Sequence, residues 1–527
     1  MIRIRQIEVP VEKDNLEEIK KCCSKKIKIS SFNIKDISIH KKSIDARKKP
    51  NIYYVYEVDV LVNDEKNILK RVHSNDIFVT PNEEYKFPKS GTKKLEHPIV
   101  IVGAGPCGLF CSYMLVQAGC KVITIERGEK IEERVKSVEE FWQTGKLNTN
   151  SNVQFGEGGA GTFSDGKLNT LVKDPYFRHR KLLEIFVECG APKEILYLNK
   201  PHIGTNLLRK VIINMRNKII DMGGEFRYNT CLTDIHINNN KIYEIELNNN
   251  EILSTDVLVL ALGHSARDTF KMLYDKSINM IGKPFAIGIR IQHPQEMINN
   301  SQYGKVKLDP ASYKLTYKAS NGRGVYTFCM CPGGYVVNAS SENNKLAING
   351  MSNYERDTLN ANSAVIVTIS PKDYGDGALD GVEFQRKLEE KAYNLGNGMI
   401  PVQLYKDFKN KITSTELGLV QPIFKGNYKL SDISTILPSE IYEALVEGIE
   451  NFGSKIKGFN RDDAIIAAIE SRTSSPIRIT RNELGVSNID GIYPAGEGAG
   501  YAGGITSSGM DGMLVAEWIA SIYDKNK

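Results

Sequence analysis

The run Ile99-Val100-Ile101-Val102-Gly103-Ala104-Gly105-Pro106-Cys107-Gly108, followed by Leu109 to Ala118 and then Lys121-Val122-Ile123-Thr124-Ile125-Glu126, decides the fold. Four consecutive β-branched apolar residues with no polar alternation predict a strand buried on both faces. The glycines match G-x-G-x-x-G, the stretch after them predicts a helix, and Glu126 closes a second strand 23 residues past Gly103. Each position has a task. Gly103 permits the tight turn, Gly105 lets the backbone approach a pyrophosphate, and Gly108 lets helix and strand pack closely. The helix N-terminus offers free N–H groups and positive dipole to phosphates, and Glu126 is placed to accept from both ribose hydroxyls. The unit is βαβ, and its ligand class is a dinucleotide.

The pattern changes on both sides of this unit. Residues 1 to about 75 read as strand, helix, strand, strand: Ile2 to Val9 alternates, Asn15 to Cys23 has helical spacing, and Tyr53 to Val62 alternates strongly. Thr80 to His97, with Pro81, Pro88 and Gly91, lacks periodicity and reads as a linker. Downstream, the spacing predicts a helix from about Thr205 to Met222, strands from Glu225 to Leu247, and an apolar strand from Val257 to Leu262. Residues 266 to 480 are more irregular, with strands such as Phe285 to Gln292 and helices such as Val382 to Leu395. Gly491 to Glu497 then leads into a last helix ending near Tyr523.

At 527 residues the chain is expected to hold two or three domains. No apolar run has signal-peptide length or approaches the roughly 20 residues that cross a bilayer, so a cytoplasmic protein without membrane contact is expected. Nine scattered cysteines, an odd number, do not form a disulfide framework and suit a reducing compartment. Without paired Cys-x2-Cys knuckles or a His-x3-His, no metal site is expected. The net charge of +6 arises wholly in residues 1–96, which carry 21 Lys and Arg against 15 Asp and Glu, while the remainder carries 48 of each. Such a face is either simply solvated or a docking surface for nucleic acid or another acidic partner.

Three further stretches carry a resemblance. Thr255 to Gly263 resembles the strand and turn that close many flavoprotein dinucleotide folds. Gly491 to Gly512 (GIYPAGEGAGYAGGITSSGMDG) resembles their terminal FAD motif, and Phe155 to Lys167 (FGEGGAGTFSDGK) lies where related proteins wrap a loop round the pyrophosphate. With Lys42 to Arg47, Phe328 to Gly334 and Arg472 to Pro476, the chain resembles, over nearly its whole length, the FAD-dependent dehydrogenases called NAD(FAD)-utilising dehydrogenases, within the glutathione-reductase-like flavoproteins.

The resemblance implies FAD, with Gly496 and Glu497 at the ribityl-phosphate end and Gly503, Gly504, Ile505 and Thr506 at the isoalloxazine. It also implies a phosphate-facing Arg134 and a pyrophosphate-facing Gly159. Pro106, Arg127, Leu232, Ala261 and Gly263 complete the expected cofactor lining. The expected fold is α/β: a Rossmann-like FAD-binding domain (97–265 and 481–527), an inserted substrate domain (266–480) and an N-terminal basic α+β module (1–90).

The candidates for chemistry are fewer. In Phe285 to His293 alternate residues split cleanly, placing Ala286, Gly288, Arg290 and Gln292 on one face. That face predicts an Arg290 aimed into the flavin chamber as an anion anchor, with Arg472 as a second anchor and His293 as an acid or base, against the plainer reading of structural residues. Cys329-x-Cys331, followed by Pro332-Gly333-Gly334, is a candidate redox or substrate-contacting pair; Cys107 and Cys111 read as helix packing. No second glycine fingerprint in βαβ context appears between 130 and 490. NAD(P)H is therefore retained only as a candidate electron donor. The expected function is an FAD-dependent oxidoreductase acting on a small molecule. The rival readings are a flavin-dependent nucleic-acid-modifying enzyme docked by the basic module, and FAD held as a structural or sensing ligand. Substrate and oligomeric state are open.

Overall fold

A computed structural model describes residues 1–525. Its dinucleotide half is a five-stranded parallel sheet with strands in the order 492–494, 257–260, 99–102, 122–125 and 225–227. Alternate residues of the central strand enter different cores: Ile99 and Ile101 meet the helices on one face, Val100 and Val102 the layer on the other. That double burial explains why the sequence there is uniformly apolar rather than alternating. The helical face carries Pro106–Gln117, Gly204–Asp221 and Ile505–Ile522. The opposite face carries a three-stranded antiparallel sheet from residues 232–254 and the helix Arg267–Asp275.

Helix Pro106–Gln117 buries residues all round its surface, from Cys107 to Val116, because it lies between the sheet and the terminal helix Ile505–Ile522. The two helices touch backbone to side: a Cβ on Gly512 would lie 2.1 Å from Cys107 O. Both follow strands of one parallel sheet, so both begin at its same edge. Cys107 and Cys111 are buried in this contact, and burial pushes both thiols up.

The second large unit is a seven-stranded sheet, ordered 316–318, 324–331, 360–369, 285–294, 465–470, 400–404, 428–430, antiparallel except for its last pair. Helices Asp380–Gly396 and Ser439–Lys455 help enclose its core. The chain enters and leaves through two antiparallel strands, Met280–Gly282 and Ile477–Ile479. These strands and Phe270 and Leu273 belong to the core of the dinucleotide half. The boundaries expected at 265/266 and 480/481 therefore move inward, to about 283 and 475, because apolar contacts rather than motif edges define the unit.

The N-terminal module is a four-stranded sheet, 34–45, 53–62, 2–10, 77–79, backed by helix Leu16–Ile27. Two of its cations are held by close internal pairs: Arg3 lies 2.8 Å from Asp59 and 2.6 Å from Glu83, and Lys42 lies 2.6 Å from Asp14. The stretch expected as a linker is a docked strap. Tyr85 donates to Glu517 at 3.0 Å, Gly91 N donates to Ala520 O at 2.8 Å, and a Cβ on Gly91 would strike Ile522 O at 2.2 Å. Aperiodic sequence here follows the side of the terminal helix instead of forming an element of its own. No helix among the described residues is long and apolar enough to cross a membrane.

Candidate functional site

The glycines of the first turn answer to different neighbours. Gly103 has φ +107, and a Cβ there would lie 2.6 Å from Ala261 O; a Cβ on Gly108 would lie 1.8 Å from Gly103 O. Gly105 has ordinary extended backbone, and a Cβ on it would meet only Gly159 Cα, at 3.8 Å. The protein itself thus does not require glycine at 105. The space that a Cβ would take there, between the two glycine loops, is open to a ligand. Gly105 is also the N-cap of its helix, supplies no side-chain cap and precedes Pro106 at the first helical position, which leaves first-turn amides for an anion.

Glu126 fastens this turn to the second glycine loop. One carboxylate oxygen accepts from Ala104 N at 2.9 Å, the other from Gly128 N at 3.0 Å and Gly156 N at 2.9 Å. A carboxylate has about four acceptor sites, so Glu126 has room for one ribose hydroxyl and not for the two the sequence reading assigned it.

Arg134 requires a larger correction. It does not face a phosphate: its side chain is fully buried and its guanidinium donates to the carbonyls of Asn152 (2.9 Å), Val153 (3.0 Å), Gly156 (3.2 Å), Glu157 (2.6 Å) and Gly159 (2.9 Å). Burial pulls the guanidinium down to about 9. Gly156, Gly158 and Gly159 all have positive φ, so the loop bends its carbonyls inward onto Arg134. Glu157, buried beneath it, accepts from Ile131 N at 2.9 Å, Arg216 at 2.8 Å and Tyr228 at 2.8 Å. Arg127 stacks over Phe155 at 4.5 Å and donates to Asp268 and Thr269, both at 2.9 Å. Leu232 is core shared with Phe155, Val102 and Ile125, so it packs beneath the glycine loops rather than lining a site.

The C-terminal motif completes the edge. Ala261 and Leu262 carry the turn against which Gly103 and Gly498 pack, and Gly263 is open, with nothing within 4 Å of a Cβ. Gly496, at φ +71, lies against Cys107, so the two glycine motifs meet directly. Gly504 caps the terminal helix without a side chain; a Cβ on Gly503 would meet nothing within 4 Å. Thr506 donates to Leu168 O at 2.8 Å, and the neighbouring Lys167 donates to Met330 O and lies 2.9 Å from Asp165. This Lys167-Leu168 strap ties the start of the terminal helix to the Cys329–Cys331 turn.

Glu497 stands between these parts with no side-chain hydrogen bond among the described residues. Burial pushes its carboxyl up to about 7, with Lys283 opposing the shift and Cys329 adding to it. The native protein therefore holds a proton that the unfolded chain, titrating near 4.5, releases. The contribution to stability falls as pH rises from about 4.5 and is lost above about 7. Glu497→Gln is expected to leave Tm unchanged near pH 4.5 and to raise stability by about 1–2 kcal/mol at pH 8, after allowance for partial exposure. Thermal melts at the two pH values check this; an equal effect at both contradicts it.

The anchors proposed from sequence are occupied. Arg290 is fully buried and donates to Glu470 (2.8 and 3.2 Å), Asn362 (2.7 Å), Asn349 (3.1 Å) and Cys329 O (3.2 Å). The small residues beside it do not make room for a ligand. A Cβ on Gly288 would strike Val365 O at 2.1 Å, and Ala286 packs against Ala364 and Ile366, so both sheet faces are covered. Arg472 donates to both oxygens of Glu389 (2.9 and 2.8 Å), as does Arg267 (2.9 and 2.8 Å), and the two arginines hold Glu389 well below the usual carboxylate range. That cluster fixes the seam between the units. His293 bonds Phe459 O at 2.6 Å inside the second core, and burial pulls it down to about 4, which removes it as an acid or base of the site. The metal-free expectation meets one cluster, Asp234, His236 and Glu246, on the three-stranded sheet, where Lys276 lies 2.7 Å from Asp234.

Of the chemistry candidates, Cys329 and Cys331 remain next to the cofactor motifs. The residues sequence reading missed are Lys167, Lys283 and the carbonyl-binding role of Arg134. Lys167 was visible only as a neighbour of the glycine loop, and nothing local marked Lys283.

The FAD binding domain family matches residues 96–139, the family described as FAD-dependent protein, C-terminal domain-like, matches 284–473, and a domain of unknown function matches 1–61. An uncharacterized protein of Clostridium beijerinckii is 47% identical over 535 residues, covering 100% of both chains. The chain belongs to this family of FAD-dependent proteins. FAD is its cofactor, and its β-α-β turn, second glycine loop and terminal helix supply a site of the right chemistry. An L-amino-acid oxidase of Daboia russelii is 34% identical over 102 residues, 18% of this chain and 20% of its own. A glycine oxidase of Bacillus cereus overlays on 80% of this chain and 95% of its own at 11% identity, with a TM-score of 0.36, too loose a likeness to carry a mechanism across.

Proposed function

We propose that this flavoprotein is an oxidoreductase of the dehydrogenase or reductase kind, of glutathione-reductase-like descent, acting on a small molecule. The observation that carries the reading is the meeting of two uncapped helix N-termini, at Gly105 and Gly504, on one sheet edge beside the partnerless Glu497. The first suits a pyrophosphate. The second suits negative charge on a reduced ring, which an electron-transfer enzyme must stabilise and a merely structural FAD site need not.

Bound there, FAD supplies reversible uptake of two electrons. The chain supplies the rest: Gly105 and Gly159 admit the pyrophosphate, Arg134 fixes the loop, and the Lys167-Leu168 strap joins the terminal helix to the second unit. That unit, about 283–475, is the substrate domain in this reading, and the setting is cytoplasmic.

Recombinant protein is expected to be yellow with non-covalent FAD and to bleach anaerobically with a reduced metabolite drawn from a panel. A folded protein that cannot be reconstituted with FAD refutes the reading, as does bound FAD that dithionite reduces but no organic reductant does. The second large sheet is antiparallel but for one edge pair and offers no second dinucleotide fold among the described residues. NADH alone is accordingly expected to reduce the flavin slowly, and rapid saturable reduction at micromolar NADH in stopped flow would contradict that expectation.

A further inference from the structure

Strand Gly324–Cys331 loses register with its neighbour between Phe328 and Cys331, and Cys329 sits in that irregularity at φ +42. Left-handed backbone at a non-glycine residue is held only where its surroundings over-determine it. Here they do: Arg290 donates to Cys329 O at 3.2 Å from one side, and Lys167 donates to Met330 O from the other. The result is an asymmetric pair. Cys331 is completely buried and its Sγ donates to Cys329 O at 3.3 Å, whereas Cys329 is half-buried.

The surroundings of the pair are equally specific. The neighbouring Cys331 thiol and the cations of Lys167 and Arg290 together overcome burial and hold the Cys329 thiol below its ordinary range. The other eight cysteines are all pushed up. Glu497 of the terminal FAD motif is near enough for the charge of Cys329 to add to the upward shift of its carboxyl. Two polar groups, Tyr313 OH and Asn362 Nδ2, are buried with no hydrogen-bond partner among the described residues, and Asn362 is the residue whose Oδ1 accepts from Arg290. Structural cysteines need none of this. Reactive ones need a stabilised thiolate with access, and an exchanging pair needs a second sulfur protected behind the first.

We propose that Cys329 and Cys331 are a redox-active dithiol pair that exchanges two electrons with the flavin and meets a thiol or disulfide substrate at the Cys329 sulfur. The balance closes without a further reagent. The Cys329 thiolate and Cys331 thiol become one S–S bond, releasing two electrons and the single Cys331 proton. Oxidised flavin takes up two electrons and one proton to reach its anionic reduced form. Glu497 is the group placed to hand over that proton. In the opposite half-reaction an external dithiol attacks the half-buried Cys329 sulfur, forms a mixed disulfide, and leaves as its own disulfide with the 329–331 pair restored to the dithiol. The inference rests on the flavoenzyme reading above and names its substrate class.

The test is an anaerobic dithionite titration of the air-oxidised holoprotein, with differential alkylation and mass spectrometry to count its thiols. Wild type is expected to consume about two two-electron equivalents per FAD and Cys331→Ser about one. Dithiothreitol should bleach the wild-type flavin and fail to bleach that of Cys331→Ser or Cys329→Ser. Should either variant lose FAD, the wild-type protein still decides, since alkylation after diamide treatment must find Cys329 and Cys331 joined and the remaining cysteines free. One equivalent per FAD in wild type, with both thiols still alkylated after diamide, overturns the dithiol pair. The flavoenzyme reading would survive that result if a reduced metabolite of the panel still bleaches the flavin, which is a separate measurement.

Discussion

Gly105→Ala is expected to give a folded protein that retains its FAD poorly. The backbone at 105 is extended and the added Cβ reaches only ordinary contact with Gly159 Cα at 3.8 Å, so the apoprotein should melt within about 1 kcal/mol of wild type. The methyl group instead occupies the approach of the pyrophosphate to the helix amides. Overpacking of a fitted site costs about 1–3 kcal/mol, which corresponds to a loss of affinity of roughly ten- to a hundredfold. Gly108→Ala is the contrasting control: its Cβ would lie 1.8 Å from Gly103 O, and the fold itself should fail. Flavin content after gel filtration and thermal melts of both proteins separate the two effects. Full FAD occupancy in Gly105→Ala would show that the ligand does not pass between these loops.

Arg134→Met should be more damaging than any change to an exposed arginine. It removes one buried cation and leaves five carbonyls, from Asn152, Val153, Gly156, Glu157 and Gly159, turned toward an apolar side chain. Stranding buried polar groups costs about 1–3 kcal/mol each when no water reaches them, and relaxation of the loop will recover part of that. A net loss of about 3–5 kcal/mol is expected, with FAD binding lost as Gly159 swings away from Gly105. Arg134→Lys should rescue little, since an ammonium has three donors where the guanidinium uses a planar fork. Denaturant midpoints and flavin retention give the answer, and a Lys variant with wild-type stability would rule out the five-carbonyl account.

These two residues show where the sequence was legible. Gly105 announces itself because its constraint is local, set by a turn spelled out over six residues. The same holds for the buried strand Ile99–Val102 and for the helix it feeds. Arg134 does not, because its partners are backbone carbonyls about twenty residues away, and carbonyls carry no residue-type signal. The alternation of Phe285 to His293 was visible but misassigned. A strand with small residues on one face reads alike whether a ligand or a neighbouring strand's backbone lies there, and Val365 O supplies the latter at Gly288. Likewise a paired Arg290 and a free one have the same letters around them, since Glu470 is remote in sequence.

The placement of strand 492–494 at the edge of a sheet whose centre is 99–102 sets the timetable of biosynthesis. A ribosome delivers the whole of the unit from about 283 to 475, with its own core, before the last strand and helix of the nucleotide half exist. Domains fold as units while the chain emerges. The nascent protein therefore carries an organised inner unit beside an unfinished nucleotide half, and Gly504, Ile505 and Thr506 arrive last. Nascent chains truncated just before residue 491 should accordingly exclude the flavin, and its capture becomes one of the final events in making the molecule.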